Sequence, residues 1–251
     1  MDKKTSDLLW EISVPSYIGQ STQLQNLGSL SNQGVELSLN ASLINKKDFQ
    51  WDMNFNISTN RSKVLSLGPD QEKPVGEHWG GYYSSILKVG SPVGLFYGQV
   101  YEGVLTQQDI DAGNLSARPG DPKFKNIPDD PNNSTVIGNA NPDFFGGLGT
   151  TVTYKGISLN AFFQYSVGND VMNLNSAYFL PGNANVNCYR ELAEKMWTPE
   201  NPDTDVARPG NSYIYSVDSR FVENGSFLRL SSLTLAYDLP RNLLQYIGLA
   251  S

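Results

Sequence analysis

The sequence predicts an all-β chain built around one antiparallel sheet of long strands. Three observations predict it. Apolar and polar residues alternate with a period of two over stretches of about eleven residues, which is strand spacing. Tight polar turns join some of these stretches, while very long polar segments join others. Helix-forming patterns are few and short.

Along the chain, SDLLWEISVP places Leu8, Trp10, Ile12 and Val14 on one face, with Leu9 breaking the other. In GVELSLNASL, Val35, Leu37, Leu39, Ala41 and Leu43 alternate with Glu36, Ser38, Asn40 and Ser42. After a polar turn at 45–48, Phe49, Trp51, Met53, Phe55 and Ile57 alternate with Gln50, Asp52, Asn54, Asn56 and Ser58, completing a hairpin. TQQDIDAG offers one helical turn with Thr106 as N-cap, Asp109 three residues on and Gly113 as stop. Leu148, Val152 and Tyr154 lead through a Lys155-Gly156 turn to Ile157, Leu159, Ala161, Phe163, Tyr165 and Val167. CYRELAEKMWTPENP reads as a short helix ended before Pro199. In FLRLSSLTLAYDLP the alternation changes phase near Ser231-Ser232, which predicts a bulge. LPRNLLQYIG reads as a helical turn from Pro240 to Gly248.

The connections fall into two classes. Residues 45–48 and 155–156 are tight, whereas 60–95, 105–141 and 169–225 are long, rich in Asn, Gly, Pro, Asp and Tyr, and read as largely structureless. Following the chain, the tight turns gather at one end of the strands and the long loops at the other.

Composition narrows the chemistry. The charged fraction is 17%, low against the ~25% usual for soluble domains. Twenty-five acids against eighteen bases, with no basic stripe, argue against nucleic acid as a partner. Cys188 is the single cysteine and permits neither an intrachain disulfide nor a cysteine-built zinc site. His78, the single histidine, lies in the polar stretch GEHWGGYY and reads as a solvated loop residue, which leaves no His-based catalytic triad. No run of 18 apolar residues exists, and MDKKTSDLLW lacks the apolar core of a signal peptide.

Whether the apolar stripes face a core or lipid is not settled by burial energy, since either gives roughly 1.5–3 kcal/mol per large side chain. Strand length, the short-turn and long-loop ends, and a polar face of Asn, Gln, Ser and Thr favour a membrane barrel with a watery interior. A soluble β-sandwich binding carbohydrate on loop aromatics stays open as the alternative, and a cell-surface adhesive module forms a third class.

Several motifs carry a family resemblance. LQNLGSLSNQGVELSLN (24–40), FNISTNRSKVLSLG (55–68), VGSPVGLFYGQVYEGV (89–104), IGNANPDFFGGLG (137–149), WTPENPDTDVARP (197–209), FVENGSFLRLSSLTLAYDLP (221–240) and IGL (247–249) resemble, in order, segments of the SusC/RagA-type TonB-linked outer-membrane transporters. The resemblance covers nearly the whole chain. It implies a segment of a 22-stranded TonB-dependent receptor β-barrel with long extracellular loops and short helical turns, located in the cell outer membrane. It also implies import of glycans, oligosaccharides or peptides, energised by the TonB complex, with a SusD-like surface lipoprotein as lid. No bond in the substrate is made or broken, and no cofactor is implied.

The chain departs from a whole transporter. It shows no signal peptide, TonB box or plug, and only about six to eight strands, so residues 1–251 read as an open part of one barrel domain from the C-terminal half, without its last strands. In 119–139, where many family members resemble a calcium loop, prolines interrupt the run; Asp129, Asp130 and Asn132 remain weak oxygen donors and a plain acidic turn is the better reading.

The Gly-rich NPDFFGGLG opens a strand and lacks the helix and Lys of a phosphate loop. Asp203 and Asp205 lie in a Pro-rich loop with no apolar wall to raise a pKa, so they do not read as a glycosidase pair. The substrate-binding candidates are loop aromatics: Trp79, Tyr82, Tyr83, Tyr178, Phe179, Tyr213 and Tyr215, with Trp197 the weakest. Flat rings suit sugar faces and tyrosine adds a hydroxyl; the plainer role is loop packing or an interfacial aromatic girdle. Trp10 and Trp51, on strands, are assigned to the lipid side.

Overall fold

The computed structural model of the chain describes residues 1–13, 22–78, 82–113, 115–125, 133–180, 182, 186–210 and 216–239, without the side chains of 10–13, 22–25 and 27. In chain order these form β1 (Asp2–Ser13), β2 (Thr22–Lys46), β3 (Phe49–Leu67), β4 (Glu72–Glu77), β5 (Tyr83–Lys88), β6 (Leu95–Gly98), β7 (Tyr101–Val104) and α1 (Gln107–Gly113). There follow β8 (Pro122–Phe124), β9 (Thr135–Asn139), β10 (Phe144–Tyr154), β11 (Ile157–Val167), β12 (Asp170–Met172), α2 (Arg190–Lys195), β13 (Val222–Asn224) and β14 (Phe227–Tyr237).

Six of these strands make one open antiparallel sheet in the order β1-β2-β3-β10-β11-β14. Its register collects the apolar stripes into rows. Leu39 lies opposite Phe55, Phe55 opposite Leu148, Leu148 opposite Phe163, and Phe163 opposite Leu230. Two rows further toward the tight turns, the same face carries Ile44, Trp51, Val152, Leu159 and Leu235. One face is therefore apolar across five strands. It is bare: Leu39 is 54% exposed and Leu235 72%, and no second sheet covers it among the described residues. The sandwich alternative lacks its partner layer.

The opposite face is polar. Ser38, Asn56 and Gln164 share a row with Arg229, and Asn40 pairs with Asn54. Glycine makes room on this side, since a Cβ at Gly147 would meet the Phe162 ring at 2.8 Å. Eleven-residue strands such as β10, at about 3.3 Å per residue and tilted near 45°, span ~25 Å of height, the apolar band of an outer-membrane barrel. Aromatic rings mark both limits of the band. Phe49 and Tyr154 meet edge-on at 6.4 Å beside the tight turns, and Phe144 meets Tyr165 at 6.2 Å on the loop side.

The two tight turns are neighbours, with the Lys155 N–H donating to the Asp48 carbonyl at 3.0 Å. The first is shorter than the expected 45–48, because β2 runs to Lys46 and only Lys47 and Asp48 turn. At the second, Lys155 (φ 47°) and Gly156 (φ 87°) both adopt left-handed backbone, the geometry of a tight two-residue hairpin. Ser231 is the extra residue predicted in β14: Ser232 pairs with Phe162 and Leu230 with Phe163. The misfit of Leu9 has the same kind of cause. The β1 register shifts between Thr5 and Leu8 and again before Leu9, with Asp7 at φ 58°. The turn expected at 240–248 and Val14 lie outside the described residues.

The long connections correct the expectation of structureless loops. They carry a four-stranded sheet β4-β5-β6-β9, the ribbons β7-β8 and β12-β13, and 3-10 turns at Leu174–Phe179 and Ser219–Phe221. The expected six to eight strands match the long sheet, but the eight short strands were not visible as alternation because none exceeds six residues. Among the described residues the buried apolar side chains lie almost entirely here, including Ile86, Leu105, Phe124, Val217 and Phe221, with Ala161 the exception in the band. The dry core sits in the loop assembly, not under the long sheet.

Candidate functional site

The loop assembly is fastened by buried polar contacts. Asp218, fully buried, accepts from the Arg220 backbone N–H and Nε at 2.9 Å each, from Arg220 Nη2 at 2.8 Å and from the Ser216 hydroxyl at 2.8 Å. Its carboxylate is thus saturated, as a buried charge requires. The Arg220 guanidinium lies 4.3 Å from the centre of the Tyr101 ring. Tyr101 in turn donates to the Asp205 carbonyl at 2.6 Å and meets Phe124 edge-on at 5.9 Å. Burial pushes the Tyr101 phenol up to about 12 against the pull of Arg220, so it remains a neutral donor. Arg208 forms an ion pair with the buried carboxylate of Asp121.

Tyr101, Asp205, Arg208 and Arg220 help to wall a cavity of about 450 Å³. Tyr101, Leu180, Tyr189, Leu192, Val206 and Phe221 give it apolar surface, and Glu191, Asp205, Arg208 and Arg220 give it polar edges. That size and lining suit a small organic ligand or one residue of a larger one. None of the four ring or guanidinium groups from Tyr101, Tyr189, Arg208 and Arg220 was a candidate from sequence. Arg208 lies 87 positions from Asp121 and Tyr101 104 from Asp205, so no local pattern marks those two.

The predicted aromatics divide. Tyr82 is buried, and its carbonyl accepts the His78 N–H at 2.7 Å, a packing role. Tyr83 opens β5 and pairs with Glu77. Tyr178 is 42% exposed on its 3-10 turn, whereas its neighbour Phe179 packs on the Tyr189 ring at 4.9 Å. Trp197 lies over Gly120, which holds φ 85° and has no room for a side chain beneath the indole. Trp79, Tyr213 and Tyr215 lie outside the described residues, as do Asp129, Asp130 and Asn132. A second, polar cleft of about 310 Å³ between Ser84–Ser85 and Met172–Asn175 brings the strand after Tyr82 and Tyr83 against the run leading to Tyr178. Among the described residues no group of three His, Cys, Asp or Glu side chains could hold a metal ion.

On the lipid side, Trp51 sits as assigned. Its indole N–H donates to the Thr150 hydroxyl at 2.9 Å, which satisfies a polar group on an otherwise apolar face.

No family model matches the chain. Curated relatives and solved structures do. The chain is 35% identical over 98% of its length to TonB-dependent receptor P3 of Formosa agariphila and 28% identical over 94% to TonB-dependent receptor SusC of Bacteroides thetaiotaomicron. Over nearly its whole length it is similar to a segment of the SusC/RagA-type TonB-dependent receptors. The structure of the RagAB peptide importer in the open-open state aligns with 97% of the chain at a TM-score of 0.79 and 28% identity, and the closed-closed state at 0.74. The chain spans about a quarter of the length of the curated relatives it matches, 25% of P3 and 23% of SusC, and 26% of the open-open importer chain. An open six-stranded sheet is what such a share of a TonB-dependent receptor barrel provides. TonB-dependent receptors such as SusC and RagA are outer-membrane proteins, and a bare five-strand apolar face backed by a polar one is the kind of wall such a barrel has.

Proposed function

We propose that the chain forms part of the barrel wall and extracellular loops of an outer-membrane nutrient importer. In this reading all 251 residues belong to one barrel domain, closed by strands outside this sequence. The cargo is an oligosaccharide or a peptide, transport is energised through the TonB complex, and a SusD-type lipoprotein covers the loop end.

One observation carries the reading: a five-strand apolar face backed by a polar face, with tight turns at one end and a folded loop assembly at the other. Such a wall separates lipid from a water-filled passage. Similarity to a peptide importer supports a peptide cargo, and the exposed ring of Tyr189 on the cavity wall and the exposed ring of Tyr178 are surfaces a sugar or an aromatic peptide side chain would stack on. Tyr178, Tyr83, Trp79, Tyr213 and Tyr215 are the substrate contacts in this reading, with Tyr82 and Phe179 as their packing support.

Growth of a receptor-deletion strain complemented with the whole receptor, on oligosaccharide or on peptide as sole nutrient, tests this. Complementation on one class, lost when TonB is removed and reduced by Tyr178→Ala at unchanged outer-membrane level, is the expected result. Equal growth with and without the receptor on both classes would overturn it.

A further inference from the structure

Above the apolar band the outward face of the sheet changes from oily to basic. On β3 the outward series runs Phe55, Ile57, Thr59, Arg61, Lys63, and the register sets Arg61 opposite Gln33 and Lys63 opposite Ser31. On β1, Lys4 lies opposite the same Ser31 and Asp2 opposite Gln33. Three cations and one carboxylate thus share two adjacent rows, in a chain whose formal net charge is −7.

The opposite side of these rows fixes the direction they face. The Ser62 hydroxyl accepts the Val93 N–H at 3.1 Å, and Val64 is fully buried beneath the loop whose Ser91 carbonyl takes its N–H at 2.9 Å. The loop assembly therefore covers the Ser62 and Val64 side. Arg61, Lys63 and Lys4 point away from it and are exposed, and among the described residues none of the three is in an ion pair.

Height decides what they meet. Val35, 69% exposed, and its partner Thr59 form the last row of the band. Two residues per row at about 3.3 Å each, tilted near 45°, put Arg61 ~5 Å and Lys63 ~9 Å above that row. The polar zone on each side of the hydrocarbon is about 5–8 Å deep. Long basic side chains adjust within that depth.

Resting on the proposed barrel, we infer that Arg61, Lys63 and Lys4 form a binding site for the phosphate groups of outer-leaflet glycolipid. The site is continuous with the lipid-facing band and lies at its loop end, which is the outer leaflet in a barrel of this kind. Asp2, tied to Gln33 Nε2 at 3.4 Å, leaves a net positive surface in the two rows.

The test uses the whole receptor carrying this chain, first inserted into phosphatidylcholine vesicles and then titrated in detergent with fluorescent monophosphoryl lipid A. At roughly fivefold per cation, the triple variant Lys4→Gln/Arg61→Gln/Lys63→Gln binds lipid A on the order of 100-fold more weakly than the parent. Lys46→Gln/Lys47→Gln/Lys155→Gln, at the tight-turn end, binds as the parent does. Equal affinity of triple variant and parent overturns the inference, as does equal affinity of the parent for the dephosphorylated glycolipid. Insertion into phosphatidylcholine without any phosphate preference removes this inference alone; failure to insert removes the barrel reading with it.

Discussion

The Tyr165 hydroxyl donates to the main-chain carbonyl of Asn56 at 2.8 Å, reaching across the backbone of Gly146. The two residues lie 109 positions apart, on strands separated by β10. A side chain at Gly146 would occupy the place of the phenol, since a Cβ there would stand 2.7 Å from the Tyr165 oxygen. The contact therefore stitches β11 to β3 over a glycine gap at the upper edge of the apolar band, with Phe55 stacked on the same ring at 6.4 Å. This is the packing device in which an aromatic ring covers a strand glycine.

Tyr165→Phe removes the hydrogen bond and keeps the ring, so the barrel should lose about 1 kcal/mol of stability. Gly146→Ala should lose more, roughly 1–3 kcal/mol, by overpacking against the phenol and the Asn56 carbonyl. Because both act on one contact, their effects in the double variant should fall short of additive. Urea unfolding of the receptor in vesicles measures all three; full additivity would separate the two residues.

Asp218→Asn should loosen the loop assembly without disturbing the barrel. The substitution leaves Arg220 partly buried without its counter-charge, a loss of about 3 kcal/mol when such a pair is broken from one side. Hydrogen exchange should rise at Gln99, Tyr101 and Ser219, whose amides bond the Val217 carbonyl, the Ser219 hydroxyl and the Gln99 carbonyl. Amides of β10 and β11 should keep their protection.

The cap of α1 should respond to acid. The Lys123 ammonium, 2.7 Å away, and the Thr106 N–H and hydroxyl hold the Asp109 carboxyl at about 2, below its ordinary 3.8. A lowered carboxylate pKa means stability that is complete above the ordinary value and lost as pH falls through about 2. Exchange protection of the Asp109 and Ile110 amides should therefore exceed that in Asp109→Asn by a constant factor above pH 4, and the two should converge near pH 2. A difference that persists at pH 2 would assign the effect to shape instead of charge.

How much of this was legible from sequence depends on the range of the interaction. The β10–β11 hairpin, the Ser231 bulge, α1 with its Thr106–Asp109 box and α2 ending at Lys195 are local patterns, and each is present. The stripe of Phe49, Trp51, Met53, Phe55 and Ile57 was readable as a stripe, but its continuation into Leu148, Phe163 and Leu230 exists only through register. Of the site candidates, Tyr82 looked like Tyr178 in sequence; its burial against the exposure of Tyr178 exists only in the folded chain. The cavity wall of Tyr101, Tyr189, Arg208 and Arg220 was hidden because it is assembled from four separate segments of the chain. The short strands β4 to β9 escaped for a related reason, being too brief to show a period.

The direction of the apolar stripe is the claim on which the rest depends, and labelling depth tests it most directly. In the whole receptor with Cys188→Ser, single substitutions Leu37→Cys, Leu39→Cys, Ser38→Cys and Asn40→Cys each receive a fluorophore in vesicles. Quenching by lipids brominated in the acyl chain should be strong at 37 and 39 and weak at 38 and 40, while aqueous iodide should show the reverse. Uniform iodide quenching at all four positions, or protection of 37 and 39 from both quenchers, would contradict a lipid-facing wall.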